Sequence, residues 1–105
     1  MAENIFSKMV GKKVVVRSIN AGVFFGTLES VTDDGCSCEI SKARKLWYWE
    51  GAASLSQLAL EGVSKPKECK FSVTVPEMVV LGVIEIIPAS EQAIKSIESV
   101  PVWRV

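Results

Sequence analysis

The alternation of apolar and polar positions divides this chain into short strands, with two helical stretches among them. Lys12-Lys13-Val14-Val15-Val16-Arg17-Ser18-Ile19 is a β-branched run entered from Gly11, and it predicts a first strand. Asn20-Ala21-Gly22 is turn chemistry, and Val23 to Val31 reads as the returning strand. Gly26 inside that run predicts a bulge or strong bend, the device by which a small sheet curls into a barrel. Thr32-Asp33-Asp34-Gly35 turns the chain again into a third strand, Cys36 to Ile40, which completes a meander.

The basic cluster Ser41-Lys42-Ala43-Arg44-Lys45 then runs into Leu46-Trp47-Tyr48-Trp49. Strand alternation puts Trp47 and Trp49 on one face and Leu46 and Tyr48 on the other, joined by Arg44 if the strand reaches back that far. Gly51 to Gly62 has helical character, with Ala52, Leu55 and Ala59 on one face, Ser54, Gln57 and Glu61 on another, and Gly62 as the stop. Ser64 to Glu68 is a polar loop, and Lys65, Lys67 and Lys70 read as its solvated charges. Lys70 to Val75 alternates as a half-buried strand should, Pro76-Glu77 interrupts it, and Met78 to Ile87 is the next strand, with Gly82 permitting a bend. Pro88 ends that strand, and Ser90 caps a short helix, Glu91 to Glu98, with Ala93, Ile94 and Ile97 inward. Met1 to Lys8 is a helical or irregular start, and Pro101 to Val105 an extended close.

Composition narrows the function classes. The 105 residues fit a single domain over residues 1–105, and 49% apolar against 23% charged is globular. Twelve basic and twelve acidic side chains cancel, so no long-range field draws the chain to nucleic acid or anionic membrane. The start lacks the apolar core of a signal peptide, and Met78 to Ile87 is too short to span a bilayer, so the expected location is cytoplasmic. Cys36, Cys38 and Cys69 then read as reduced packing thiols.

There is no histidine, which removes the commonest general base, the commonest zinc ligand and any Ser-His or Cys-His nucleophile. Cys36-Ser37-Cys38 is too compact for a zinc knuckle. The expectation is a binding protein with no catalytic residue, metal or cofactor. An enzyme such as a nucleotide hydrolase is a distant third class.

Two resemblances extend this reading. Val14-Val15-Val16-Arg17, Ala21-Gly22-Val23-Phe24-Phe25-Gly26-Thr27-Leu28, Asp33-Asp34 and Cys36 to Ile40 resemble the opening motif of Sm-like proteins, small bent barrels that assemble into rings. Met78 to Ile87 is similar to that family's second, strand-turn-strand motif. The family's RNA-contacting pair, an aromatic or methionine plus asparagine, would fall near Gly35 and Cys36, neither of which is that pair, and Leu81 stands where arginine would precede Gly82. The resemblance therefore implies the fold more than it implies uridine binding. Separately, Arg44 to Ala59, Ala21 to Leu28 and Val100-Pro101-Val102-Trp103 look like the signature of short phage-encoded proteins of unknown function. That likeness implies a phage or prophage source and the host cytoplasm. Small phage proteins outside the virion often act on host defence, including oligomeric sponges for nucleotide immune signals.

The expected fold class is mainly β (α+β), an Sm- or SH3-like small bent barrel of about five strands. A helix is inserted between strands three and four, and a short helix lies near the carboxyl terminus. Open edges and a small core favour a homo-oligomer.

The candidate ligand contacts are Arg17, Arg44, Lys45, Trp47, Tyr48 and Ser54. Aromatic faces stack on bases and arginine forks match phosphates, so Arg44, Lys45, Trp47, Tyr48 and Trp49 together suit a nucleotide. The plainer alternative puts Trp47 and Trp49 in the core with Tyr48 outward. Gly51-Ala52-Ala53-Ser54 is either a helix start offering N–H groups to an anion or close packing of small residues. Arg17 is either a ligand contact or an exposed edge charge, and Phe24-Phe25 splits between core and an intersubunit surface. The leading expectation is a phage accessory protein that sequesters a small nucleotide-type ligand. The alternative is an interaction module, either an Sm-like RNA binder or an inhibitor docking on a host protein.

Overall fold

A computed structural model describes residues 5–104. The first four residues of the expected irregular start, and Val105 of the expected extended close, lie outside the described residues. A 3₁₀ turn, Ile5–Lys8, leads to β1 (Lys13–Ser18), β2 (Gly22–Val31) and β3 (Ser37–Tyr48). Helix α1 (Leu55–Glu61) and a 3₁₀ turn, Pro66–Glu68, separate β3 from β4 (Lys70–Phe71), and β5 (Val75–Leu81), β6 (Val83–Pro88) and α2 (Glu91–Ser99) follow. The strands form a six-stranded antiparallel sheet in the order β4-β3-β2-β1-β6, with β5 also paired to β3. This is the expected small bent barrel, with α1 inserted after the third strand and α2 near the end.

Strand β3 is longer than its apolar pattern predicts, because Ser41 to Lys45 belongs to it rather than preceding a separate strand. Its two halves hold different neighbours: β5 lies along Ser37 to Ala43, and β4 along Leu46 to Tyr48. The bend sits at Lys42, near the end of the half paired with β5, where φ is 49° and left-handed. Opposite it the β2–β3 register slips between Phe25 and Thr27. Glycine is required at position 26, because a Cβ there would come within 2.9 Å of the Ser41 carbonyl oxygen. The expected strand Lys70 to Val75 is broken in two, and β5 begins before Pro76 and Glu77 instead of after them. Gly82, at φ 68°, turns the chain from β5 on one side of the barrel to β6 on the other.

Val14, Val15 and Val16 are all fully buried, so both faces of β1 are covered. Val14 and Val16 join Phe24, Leu28, Ile40 and Val80 inside the bent sheet. Val15 joins Phe25, Leu46, Leu58, Phe71 and Ile97 between the sheet and the helices. Phe24 and Phe25 are therefore both core, one on each face, which corrects the expectation that one meets a subunit surface. Cys38 and Cys69 pack inside as expected, whereas Cys36 is exposed in its turn. Ser90 caps α2 by accepting from the Ala93 N–H at 3.0 Å. No helix among the described residues is long and apolar enough to cross a membrane.

Candidate functional site

Beyond its bend, β3 carries side chains to opposite faces, and the outcome reverses the expected one. Arg44 is inside, at 5% exposure, and Trp47 is outside, at 58%. The inward choice has a chemical cause. Helix α2 ends beneath β3, where the Val100 carbonyl lies past the helix and the Ile97 carbonyl holds only a long bond, 3.3 Å, from the Val100 N–H. Arg44 Nε donates to the Ser72 carbonyl at 2.8 Å, while its terminal nitrogens donate to Ile97 at 2.9 Å and Val100 at 2.6 Å. The guanidinium also lies 5.4 Å from the centre of the Phe71 ring. Burial pushes its pKa below the ordinary arginine value. Arg44 thus ties the sheet to the end of α2, a buried role at a position the sequence reading expects as a ligand contact.

With Arg44 and Leu46 inward, Trp47 is delivered to the surface, where it meets Trp103. The two rings stack with centroids 5.3 Å apart and planes 16° from parallel. Trp103 is held there because its N–H donates to the Phe71 carbonyl at 2.9 Å, and Val102 bridges to Phe71 as a short parallel addition to β4. The Lys70 ammonium lies 5.5 Å from the Trp47 ring centre and 5.4 Å from that of Trp103. Lys70 is therefore no solvated loop charge, and Trp47 is no core residue. Trp49 alone partly fits the core alternative, being half-buried against the helix side of the sheet.

Beside the tryptophans lies an open cleft of about 270 Å³, whose walls include Asn20, Gly22, Val23, Lys45, Trp47 and Trp49. Gly22 takes a φ of 101° where the β1–β2 turn enters β2, and the Lys45 stem runs beside it. The Lys45 ammonium lies 5.7 Å from the Phe24 ring centre, at the cleft wall. Cation, aromatic faces and an exposed turn meet in one place.

The other candidates sit elsewhere or are already engaged. Tyr48 is exposed, and its hydroxyl donates to the Glu50 carboxylate, which raises the phenol pKa above its ordinary value. Ser54 accepts from the Gln57 N–H at 3.1 Å as the cap of α1, and the Ala53 N–H donates to Gln57 Oε1 at 2.7 Å. The helix begins at Leu55 rather than Gly51, so the glycine-led start is a loop. Arg17 is exposed opposite Val23, its guanidinium 3.8 Å from Glu85 on β6. Of the six expected contacts, the cleft gathers Lys45 and Trp47. Trp103 and Lys70 were not among them, since no local pattern reveals a stacking partner from a distant segment.

Comparison with known proteins bears on the fold and the family. A family model described as "Domain of unknown function (DUF6948)" matches residues 11–97. A heptameric archaeal Sm protein, solved by crystallography, aligns with a TM-score of 0.51 at 18% identity, covering 81% of this chain and 96% of that one. No curated protein matches the chain. The likeness to the archaeal protein shows a shared fold, and the chain, Sm-like in architecture, belongs to the family described as Domain of unknown function (DUF6948).

Proposed function

We propose that this chain is a non-catalytic binding protein that holds a small nucleotide-type ligand on the Trp47–Trp103 platform, as a homo-oligomer. The observation that carries this reading is the platform itself: two stacked tryptophans at 58% and 50% exposure, with one lysine over both rings and a second in the adjoining cleft. A base laid on a tryptophan face gains about 1–3 kcal/mol by stacking. Lys45 and Lys70 supply positive charge for a phosphate while the chain as a whole stays neutral, which suits one small anion better than a polyanion. The absence of histidine removes the usual proton carrier and favours holding the ligand over turning it over. The setting we propose is a phage accessory protein that sequesters a host immune signal, on the strength of the sequence resemblance alone.

Assembly is supported by the sheet edges. Among the described residues β5 pairs only with β3, and β6 only with β1, so each presents an unpaired edge. Val79, Leu81 and Ile84, on these strands, are all more than half exposed. The structurally similar archaeal protein is heptameric. The same apolar edges favour a second reading, an interaction module that docks on a host protein, with Sm-like RNA binding as its variant.

The test is calorimetry of the full chain against cyclic dinucleotides, cyclic trinucleotides and ADP-ribose derivatives, followed by recovery of the ligand. Saturable binding, weakened about tenfold or more in Trp47→Ala, with the ligand recovered intact, is the expected result. A consumed ligand makes the chain an enzyme. No binding to any of them, with capture of one host protein through the β5–β6 edges, favours the docking module.

A further inference from the structure

Arg44 holds a full charge in the interior with three carbonyl acceptors and no carboxylate. Among the described residues the ion pairs are Lys13–Glu98 and Arg17–Glu85, and neither includes it. A buried cation without an anion is an expensive arrangement, and a guanidinium has more N–H donors than these three bonds use. A cavity of about 260 Å³ opens beside it, lined by Phe25, Lys42, Arg44, Thr74 and Glu98. Among the described residues Lys42 is the non-glycine one with a left-handed backbone, and such conformations gather at functional sites. The Glu98 carboxylate is taken by Lys13 at 2.5 Å, so Lys42 and Arg44 leave the cavity positive. The carbonyl end of α2 offsets part of the Arg44 charge and leaves that of Lys42.

The geometry points to an oxyanion site between the bend of β3 and the end of α2, in which a phosphate-type or carboxylate group sits against Lys42, Thr74 and Arg44. It lies apart from the tryptophan platform. Arg44 faces Phe25 and Lys45 faces Phe24 across β2, so the two side chains leave opposite faces of β3. The site goes beyond the nucleotide reading and stands whether or not that reading does.

The experiment titrates the ¹⁵N-labelled full chain with inorganic phosphate, and separately with acetate and chloride at matched ionic strength. Backbone amides and the Arg44 Nε–H are followed. Phosphate should give a saturable shift confined to Lys42, Arg44 and Thr74. Lys42→Gln should weaken it about tenfold or more, as loss of one charge-assisted bond does. Thr74→Val should weaken it by a smaller factor, and Trp47→Ala should leave it unchanged. Lys42 and Thr74 are exposed, so the amide spectra of these variants should report an intact fold. Acetate binding as tightly as phosphate assigns the site to carboxylates, and phosphate binding alone assigns it to phosphate-type groups. Shifts that do not saturate, that spread over surface lysines, or that persist unchanged in Lys42→Gln overturn the site.

Discussion

Removing the Arg44 guanidinium should be among the most damaging single changes to this fold. Arg44→Ala leaves the carbonyls of Ser72 and Val100 without their donor, and leaves that of Ile97 with only the Val100 N–H at 3.3 Å. A buried acceptor left unsatisfied costs about 1–3 kcal/mol. Ser72 is half-buried, so water regains part of the loss there, whereas Val100 is buried. The shortened side chain also vacates its place over Phe71, which is fully buried. Together these give a destabilisation of about 2–4 kcal/mol, from two orphaned carbonyls and the packing lost over Phe71. For a domain of this length that is a fall in melting temperature of roughly 8–32 °C. Arg44→Lys keeps the charge but not the fork, and it should fall between alanine and wild type. The assay is urea unfolding followed by far-UV circular dichroism, at one fixed protomer concentration because assembly shifts the midpoint. Arg44→Ala within about 1 kcal/mol of wild type would refute the assignment of Arg44 as the tie between β3 and α2.

Three further outcomes are expected. Cys36 is exposed, while burial raises the thiol pKa of Cys38 and Cys69, so a thiol reagent should modify Cys36 quickly and the other two only on unfolding; mass mapping reads this. Asp34 accepts from the Cys36 N–H at 2.9 Å and from the Thr32 hydroxyl at 2.7 Å, which holds its carboxyl below the ordinary value. Its folded pKa being depressed, its contribution is present at neutral pH and is lost as pH falls through that lowered value, so an NMR titration should find Asp34 below the usual carboxylate range and Asp34→Asn should flatten the acid arm of the stability curve. Native mass spectrometry at micromolar concentration should show a dimer or larger assembly, and Leu81→Lys with Ile84→Lys should release folded monomers; a wild-type monomer would sink the oligomer and leave the edges as bare surface.

Much of this fold is readable in the sequence where one residue type has one physical use. The valine run of β1, the turn at Asp33-Asp34-Gly35, the cap Ser90 and the bend at Gly26 all depend on neighbours a few positions away. Strand β3 was under-read because Ser41 to Lys45 is polar on its outer face, and the bend falls on a lysine instead of a glycine. The site was misread at its centre for a related reason. Alternation correctly separates Trp47 from Arg44, but hydrophobicity sends the tryptophan inward and the arginine outward. The carbonyls that draw Arg44 inside belong to Ile97 and Val100, and the ring that keeps Trp47 at the surface belongs to Trp103. Both are contacts between distant segments, and nothing near position 44 or 47 encodes them.

Tryptophan fluorescence offers the most direct measurement on the platform. Trp47 and Trp103 are exposed and stacked, so a base seated on them should quench and shift emission in a saturable way. The titration runs each nucleotide-type ligand named above against wild type, Trp47→Ala, Trp103→Ala and Lys70→Gln, with melting curves alongside. At 58% exposure Trp47 contributes little to the core, so Trp47→Ala should lose only the stacking and cation–π terms, about 1–2 kcal/mol, and remain folded. The expected result is one ligand that binds wild type and is weakened about tenfold or more by each variant, in proteins that stay folded and melt no more than about 16 °C below the wild type. A ligand that binds all four proteins alike, or wild type that binds none of them, would contradict the nucleotide platform and leave the tryptophan pair as a protein-docking surface.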